Sequence, residues 1–332
     1  KKFRKILIAN RGEIAIRVMR AANEMGKSTV AIFAEEDKLS LHRFKADEAY
    51  KIGKGLGPVA AYLNIEEIIS VAKMAHADAI HPGYGLLSEK PDFAEACLKA
   101  GINFIGPPPR TMRELGNKAE ARKIAIKAGV PVIPASEILP EETTSLINIA
   151  KELGLPVMLK ASWGGGGRGM RLIRDTNELE KNVLEGKREA ENAFGNSEAF
   201  LEKYIENALH VEVQILGDEK GNIYHLWERD CSIQRRNQKV LERAPAPYLN
   251  QEKRTEVCMM AKKICQMVGY QCAGTVEFLM DLSDNNFYFI EVNPRIQVEH
   301  TVTEEITGID IVRAQIMLAE GYSIKEATGK EN

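Results

Sequence analysis

Along the first third of the chain, short continuous apolar runs alternate with longer stretches whose apolar positions recur every three or four residues. KILIAN (5–10), STVAIF (28–33), ADAIHP (77–82) and INFIGP (102–107) read as short buried strands. GEIAIRVMRAANEM (12–25), Ile65–Met74 and Pro91–Ala100 carry helical spacing. This alternation predicts right-handed βαβ crossovers and a parallel sheet. From PPPR (107–110) a connecting stretch follows, helical over Arg113–Gly116 and Lys118–Ala128, and VPVIPAS (130–136) reads as a linker. Glu137–Tyr204 forms a compact unit: a helix near Ser145–Leu153, the strands PVMLKAS and MRLI, a helix through Asp175–Ala193 and the strand AFLEKY. HVEVQILGD and NIYHLWERDCSI predict long antiparallel strands joined at Glu219–Asn222. A helix over Gln251–Val268, the hairpin GTVEFLMDLSDNNFYFIEVNP (274–294) and a helix near Ile309–Gly321 complete the pattern ahead of a polar tail.

A chain of 332 residues has room for two or three domains with substantial cores. Its 45 basic and 47 acidic residues leave no electrostatic footprint for nucleic acid or an anionic membrane, and no apolar run is long enough to span a bilayer. The five cysteines include no C-x-x-C pair, which predicts reduced thiols. Together with an N-terminus that lacks a cleavable leader pattern, this gives the expectation of a cytoplasmic protein. Cys258, Cys265 and Cys272 recur every seven residues and are expected on the buried face of a helix rather than around a metal.

Several segments carry candidate chemistry. The first strand–helix turn, NRGEIA, lacks G-x-G-x-x-G, so the parallel sheet is expected to serve as scaffold and partner surface rather than as a nicotinamide site. KASWGGGGRGM (160–170) lacks the Lys-Ser/Thr of a Walker A loop. It reads as a hairpin tip whose amides could cover phosphates, or as a mobile hinge, with Lys160 projecting from the incoming strand. In the 274–294 hairpin, a turn centred near Asp284 sets Glu277 opposite Glu291, with Asn293 and Arg295 on the same face. Val276, Phe278, Met280, Ile290 and Val292 are expected on the core face. Two facing carboxylates and an amide oxygen make a hard-oxygen site for Mg²⁺ or Mn²⁺. Without the cation, repulsion should raise the pKa of one carboxyl. In PRIQVEHT (294–301), Arg295 suits bidentate recognition of a small oxyanion and Glu299 suits a general base; a salt-bridged loop is the alternative. Arg229, Arg235, Arg236 and Lys239 in ERDCSIQRRNQK (228–239) form either an anion-facing strand or a solvated basic face.

The glycine loop, the carboxylate hairpin and the preceding α/β region together resemble the ATP-grasp family. HPGYGLLSE (81–89), KASWGGGGRGM, ERDCSIQRRNQK and FIEVNPRIQVEHTVTE (289–304) are similar to biotin carboxylases over essentially the whole chain. IFAEEDKLSLHRFKADEAY (32–50) and the tryptophan of ASWGGGG are most similar to the biotin carboxylase domain of pyruvate carboxylases, with the acetyl-CoA carboxylase subunit as runner-up. The resemblance implies an α/β fold with an N-terminal Rossmann-like domain (1–113), a helical linker (114–136), a mobile α+β lid (137–204) and an incomplete, mostly antiparallel C-terminal subdomain (205–332).

It also implies roles. Lys118, Lys160, His210 and Gln234 would contact ATP, Gly165, Gly166 and Met170 would close over it, and Glu202, Lys203 and Ile205 would hold adenine. Glu277, Glu291 and Asn293 would bind Mg²⁺ or Mn²⁺. Arg295, Gln297 and Val298 would hold bicarbonate while Glu299 deprotonates it, with Lys239 stabilising the anionic intermediate on the way to carboxybiotin. The implied partners are a biotinylated carrier domain and a carboxyltransferase domain, neither within this chain, and a homo-oligomeric assembly. The chain departs from the family pattern RRHQK at Asn237, is shorter than the pyruvate carboxylase pattern at KIGKGLGPVA (51–60), and ends before the segment carrying the family's second arginine. A fragment that binds nucleotide but turns over poorly is therefore expected. The rival readings are another ATP-grasp ligase with an amino-acid or ammonia acceptor and a nucleotide-binding regulatory fragment.

Overall fold

The computed structural model describes residues 2–140, 143–163, 169–236 and 238–330. Its first sheet is built from β1 (Lys5–Ile8), β2 (Ser28–Phe33), β3 (Glu48–Lys51), β4 (Ala79–His81) and β5 (Asn103–Phe104), all parallel, in the order β3-β2-β1-β4-β5. The central strands are buried on both faces, which is why they appear as unbroken apolar runs rather than alternating ones. Helices Gly12–Glu24, Ile65–Met74 and Pro91–Lys99 supply the crossovers. β3 carries no apolar run because its residues are half-buried or exposed at the sheet edge.

The second sheet is small and antiparallel: β6 (Val157–Ala161), β7 (Arg171–Ile173) and β8 (Ala199–Lys203) in the order β7-β6-β8. Leu146 and Ala150 of the helix Thr143–Leu153, with Leu179 and Val183 of the helix Leu179–Phe194, close its core. The register Leu159↔Arg171 makes the glycine stretch the connection of a hairpin, as expected. Gly165 and Gly166 themselves lie outside the described residues, as does Asn237.

The third sheet holds the candidate metal residues together with His210, Gln234 and Lys239. It comprises β9 (Ala208–Gly217), β10 (Ile223–Arg235), β11 (Gln238–Arg243), β12 (Cys272–Asp281) and β13 (Phe287–Asn293), antiparallel in the order β11-β10-β9-β12-β13. On β9, Val211, Val213 and Ile215 pack toward the helix Gln251–Met267, and His210, Glu212 and Gln214 alternate with them. β11 had no apolar signature because it is a largely exposed edge strand.

Three expectations are corrected. The hairpin register is Glu277↔Glu291 as read, but a bulge changes it to Phe278↔Phe289 on the turn side. Phe289 therefore takes the core place expected for Ile290, edge-on to Phe278 at 6.3 Å between ring centroids, while Ile290 is only half-buried. All five cysteines are free and buried, yet only Cys258 and Cys265 share the helix; Cys272 opens β12. The polar C-terminal tail contains a further helix, Ile324–Thr328, fixed by a capping box between Ser323 and Glu326.

Candidate active site

The chemistry converges where the polar face of the third sheet meets the segment after β13. Arg229 on β10 is wholly buried, so it belongs neither to a solvated basic face nor to an anion-facing strand. It donates from Nε to Glu212 Oε1 (2.6 Å), from Nη1 to Gln214 Oε1 (2.8 Å) and Thr303 Oγ1 (2.8 Å), and from Nη2 to Thr275 Oγ1 (3.2 Å) and Gln297 Oε1 (2.9 Å). A guanidinium has five N–H donors, and here each has an acceptor. Because the Gln297 oxygen faces Arg229, its amide nitrogen faces Glu277 Oε1 at 3.0 Å.

Lys239 sits at the centre of three carboxylates. Its ammonium pairs with Glu212, with Glu277 Oε1 at 2.8 Å and with Glu299 Oε1 at 2.7 Å. Burial alone would lower the Lys239 pKa; the charges of Glu277, Glu212 and Glu299 raise it well above the ordinary lysine value. Glu277 Oε1 also accepts from Asn293 Nδ2 (2.9 Å), and its Oε2 lies 2.8 Å from His210 Nε2. Gln234 Nε2 lies 3.1 Å from His210 Nδ1, so the neutral ring carries its proton on the nitrogen that faces Glu277. Lys118 begins the helix Lys118–Lys127, whose first turn is capped by the Asn117 side chain, and its ammonium lies 3.1 Å from Glu291.

At Glu277 these contacts overturn the expectation of a raised carboxyl pKa. Desolvation does push Glu277 upward, but Lys239 and His210 outweigh it and hold its carboxyl well below the usual range. Burial likewise opposes the charge of Lys118, and Glu291, Glu277 and Glu202 reverse it. The repulsion read along the hairpin is relieved by cations from other strands and a neighbouring helix, a solution that the two-stranded register could not show.

The remaining candidates divide by position. Arg295 donates to Asn293 Oδ1 (3.1 Å) and to the Ile296 carbonyl (3.1 Å), and pairs through Nε with Glu89. Val298 is exposed beside it. Lys160 on β6 pairs with Glu202 on β8, one diagonal step across the second sheet. Met170 immediately precedes β7, Lys203 ends β8 and Ile205 follows it; all three are half-buried or exposed. Glu212 was missed, although its signal was present: His210, Glu212 and Gln214 are polar at every second position of an otherwise apolar strand. The oxygens of Glu277, Glu291 and Asn293 suit Mg²⁺ or Mn²⁺. One ligand atom each from His210, Glu212 and Glu277 also lies within 4.8 Å of the others.

A parallel α/β sheet, a small hairpin sheet and an antiparallel sheet lined with carboxylates and lysines define an ATP-grasp ligase. Residues 2–112 match the family described as biotin carboxylase, N-terminal domain, and residues 117–327 match the ATP-binding domain of the carbamoyl-phosphate synthase L chain. The human mitochondrial pyruvate carboxylase is 55% identical over 326 residues, covering 98% of this chain and 28% of the relative. A Rhizobium etli pyruvate carboxylase structure with acetyl coenzyme-A matches with a TM-score of 0.95 at 62% identity, over 98% of this chain and 29% of that one. The biotin carboxylase domain of a Hydrogenobacter thermophilus 2-oxoglutarate carboxylase, solved with MgADP, ADP and bicarbonate, matches with a TM-score of 0.94 at 49% identity, over 99% of this chain and 73% of that one. The chain belongs to the biotin carboxylase family of ATP-dependent ligases. It spans under a third of the length of the pyruvate carboxylases it matches.

Proposed function

We propose that this chain carboxylates biotin with ATP and bicarbonate, as the first half-reaction of a pyruvate carboxylase that converts pyruvate to oxaloacetate. The observation that carries the reading is the convergence of Glu299, Lys239, Glu277 and Gln297 on one buried network beside Arg295. In this reading Arg295 and Gln297 hold bicarbonate, and Glu299, paired with Lys239, takes its proton. The bicarbonate oxygen then attacks the γ-phosphorus of ATP, ADP leaves, and carboxyphosphate forms. Its breakdown to CO₂ and phosphate carboxylates the biotin nitrogen, with phosphate taking the displaced proton. Mg²⁺ or Mn²⁺ held by Glu277 and Glu291, with Asn293, would offset charge on the nucleotide phosphates. Lys118, Lys160 and His210 would exchange their carboxylate partners for phosphate oxygens, and Glu202, Lys203 and Ile205 would hold adenine. The biotinylated carrier and the carboxyltransferase belong to the remainder of the longer protein.

The test is bicarbonate-dependent ATP cleavage by the full-length protein, with and without free biotin. Glu299→Gln should lower that rate by about 10²–10⁴-fold while ATP affinity is retained. Equal ATP cleavage without bicarbonate, or a parallel loss of ATP binding in the variant, would overturn the reading.

A further inference from the structure

We propose that Glu89 is a positioning residue for Arg295, delivered by the N-terminal parallel sheet to orient the guanidinium toward a small oxyanion; this rests on the bicarbonate reading above. The strand order reverses between β1 and β4, and sheets of this kind commonly bind ligands at that point, beyond the strand ends. Here the chain itself fills the place. Asn10, just past β1, donates from Nδ2 to the carbonyls of Pro82 (2.7 Å) and Tyr84 (2.8 Å). His81, at the end of β4, accepts from the Gly83 amide at 3.0 Å. Gly83 and Gly85 adopt φ of 63° and 62°, and Leu86 follows at 47°, a conformation unfavourable for a residue with a Cβ. A Cβ on Gly83 would lie 2.8 Å from Asn10 Nδ2, so the clasp requires glycine there. Leu87 and Ser88 are then buried and Glu89 emerges at the rim of the site.

Glu89 meets Arg295 across 206 positions of sequence, through Nε. Nη1 donates to the Ile296 carbonyl and Nη2 to Asn293 Oδ1, so three of the five N–H groups are engaged. One N–H remains on each Nη, and that pair suits bidentate binding of a planar oxyanion. The negative charges of Glu277 and Glu299 also act on this guanidinium. Without Glu89, Arg295 would turn toward them and lose its alignment for an incoming anion.

The test compares bicarbonate-dependent ATP cleavage by full-length wild type, Glu89→Gln and Glu89→Asp. Glu89→Gln should raise the KM for bicarbonate by about five- to ten-fold, a range reduced from that of a buried charged contact because Glu89 is partly exposed. The KM for ATP should stay within about twofold and the melting temperature near that of wild type. Glu89→Asp, which keeps the charge, should recover part of the loss. An unchanged or lower KM for bicarbonate in Glu89→Gln overturns the assignment. So does a parallel rise in both KM values with a lower melting temperature, which would mark a structural role. Wild type without bicarbonate dependence removes the proposed function, and this assignment with it.

Discussion

Lowering the pH from 7.5 to 4.5 tests the buried imidazole of His81. His81 is fully buried, and burial pushes its pKa from the usual 6.5 down to about 4. Its Nδ1 accepts from the Gly83 amide at 3.0 Å, and Nε2 lies 3.2 Å from Gln315 Oε1, so the neutral ring with its proton on Nε2 satisfies both neighbours. Protonation would set a second N–H against the Gly83 N–H and leave a charge in the core. The unfolded chain takes up this proton near pH 6.5, whereas the folded protein resists it until about pH 4. The contribution to stability is therefore fully present above pH 6.5 and is lost as the pH falls toward 4. The full difference is worth about 3 kcal/mol, of which about 2.5 kcal/mol is lost by pH 4.5. Urea unfolding of wild type and His81→Asn at both pH values isolates this contribution, since every other ionisable side chain is common to the two proteins. The variant starts less stable at pH 7.5 but should lose about 2.5 kcal/mol less than wild type on acidification. Parallel losses would refute the buried neutral imidazole.

Two further outcomes follow from the charge network. Arg229→Leu removes the partner of a buried carboxylate and should cost about 3–5 kcal/mol in urea unfolding; a loss below about 1 kcal/mol would contradict the hub described for it. Glu291→Gln removes a partly exposed partner of Lys118 and should lower stability without ligand by about 1 kcal/mol or less. The same variant should show a smaller rise in melting temperature with Mg²⁺-ATP, and a rise equal to wild type would exclude Glu291 as a metal ligand.

Much of this architecture was legible because period and burial agree. The parallel sheet followed from apolar runs spaced by amphipathic helices, and the Glu277–Glu291 pairing followed from the position of the SDNN turn. The bulge beside that pair was not legible, because it depends on how Phe289 packs against Phe278. Exposed edge strands escaped for the opposite reason: β11 has little apolar burial to leave a pattern. Arg229 looked ambiguous because a polar run has the same spelling in solvent and in a buried network. Its meaning depends on Glu212, Gln297 and Thr303, which other elements bring to it. Glu89 has no local signal at all for a partner 206 positions away.

The core beneath β1 joins the two extremes of the chain. Phe3, Ile6 and Ile8 share one apolar cluster with Ile311, Val312, Ile316, Leu318 and Ile324, and the Phe3 amide donates to Glu320 at 2.7 Å across 317 positions. During synthesis the first strand and the first helix therefore leave the ribosome long before the helices that cover them. At roughly 5–20 residues per second, that interval is roughly 15–60 s. The buried face of the first helix, with Ile14, Val18 and Met19, lacks its native cover for that time. The apolar cover of the N-terminal sheet is thus completed long after its strands, and truncation within Ile311–Ala319 would strip it from residues about 300 positions earlier.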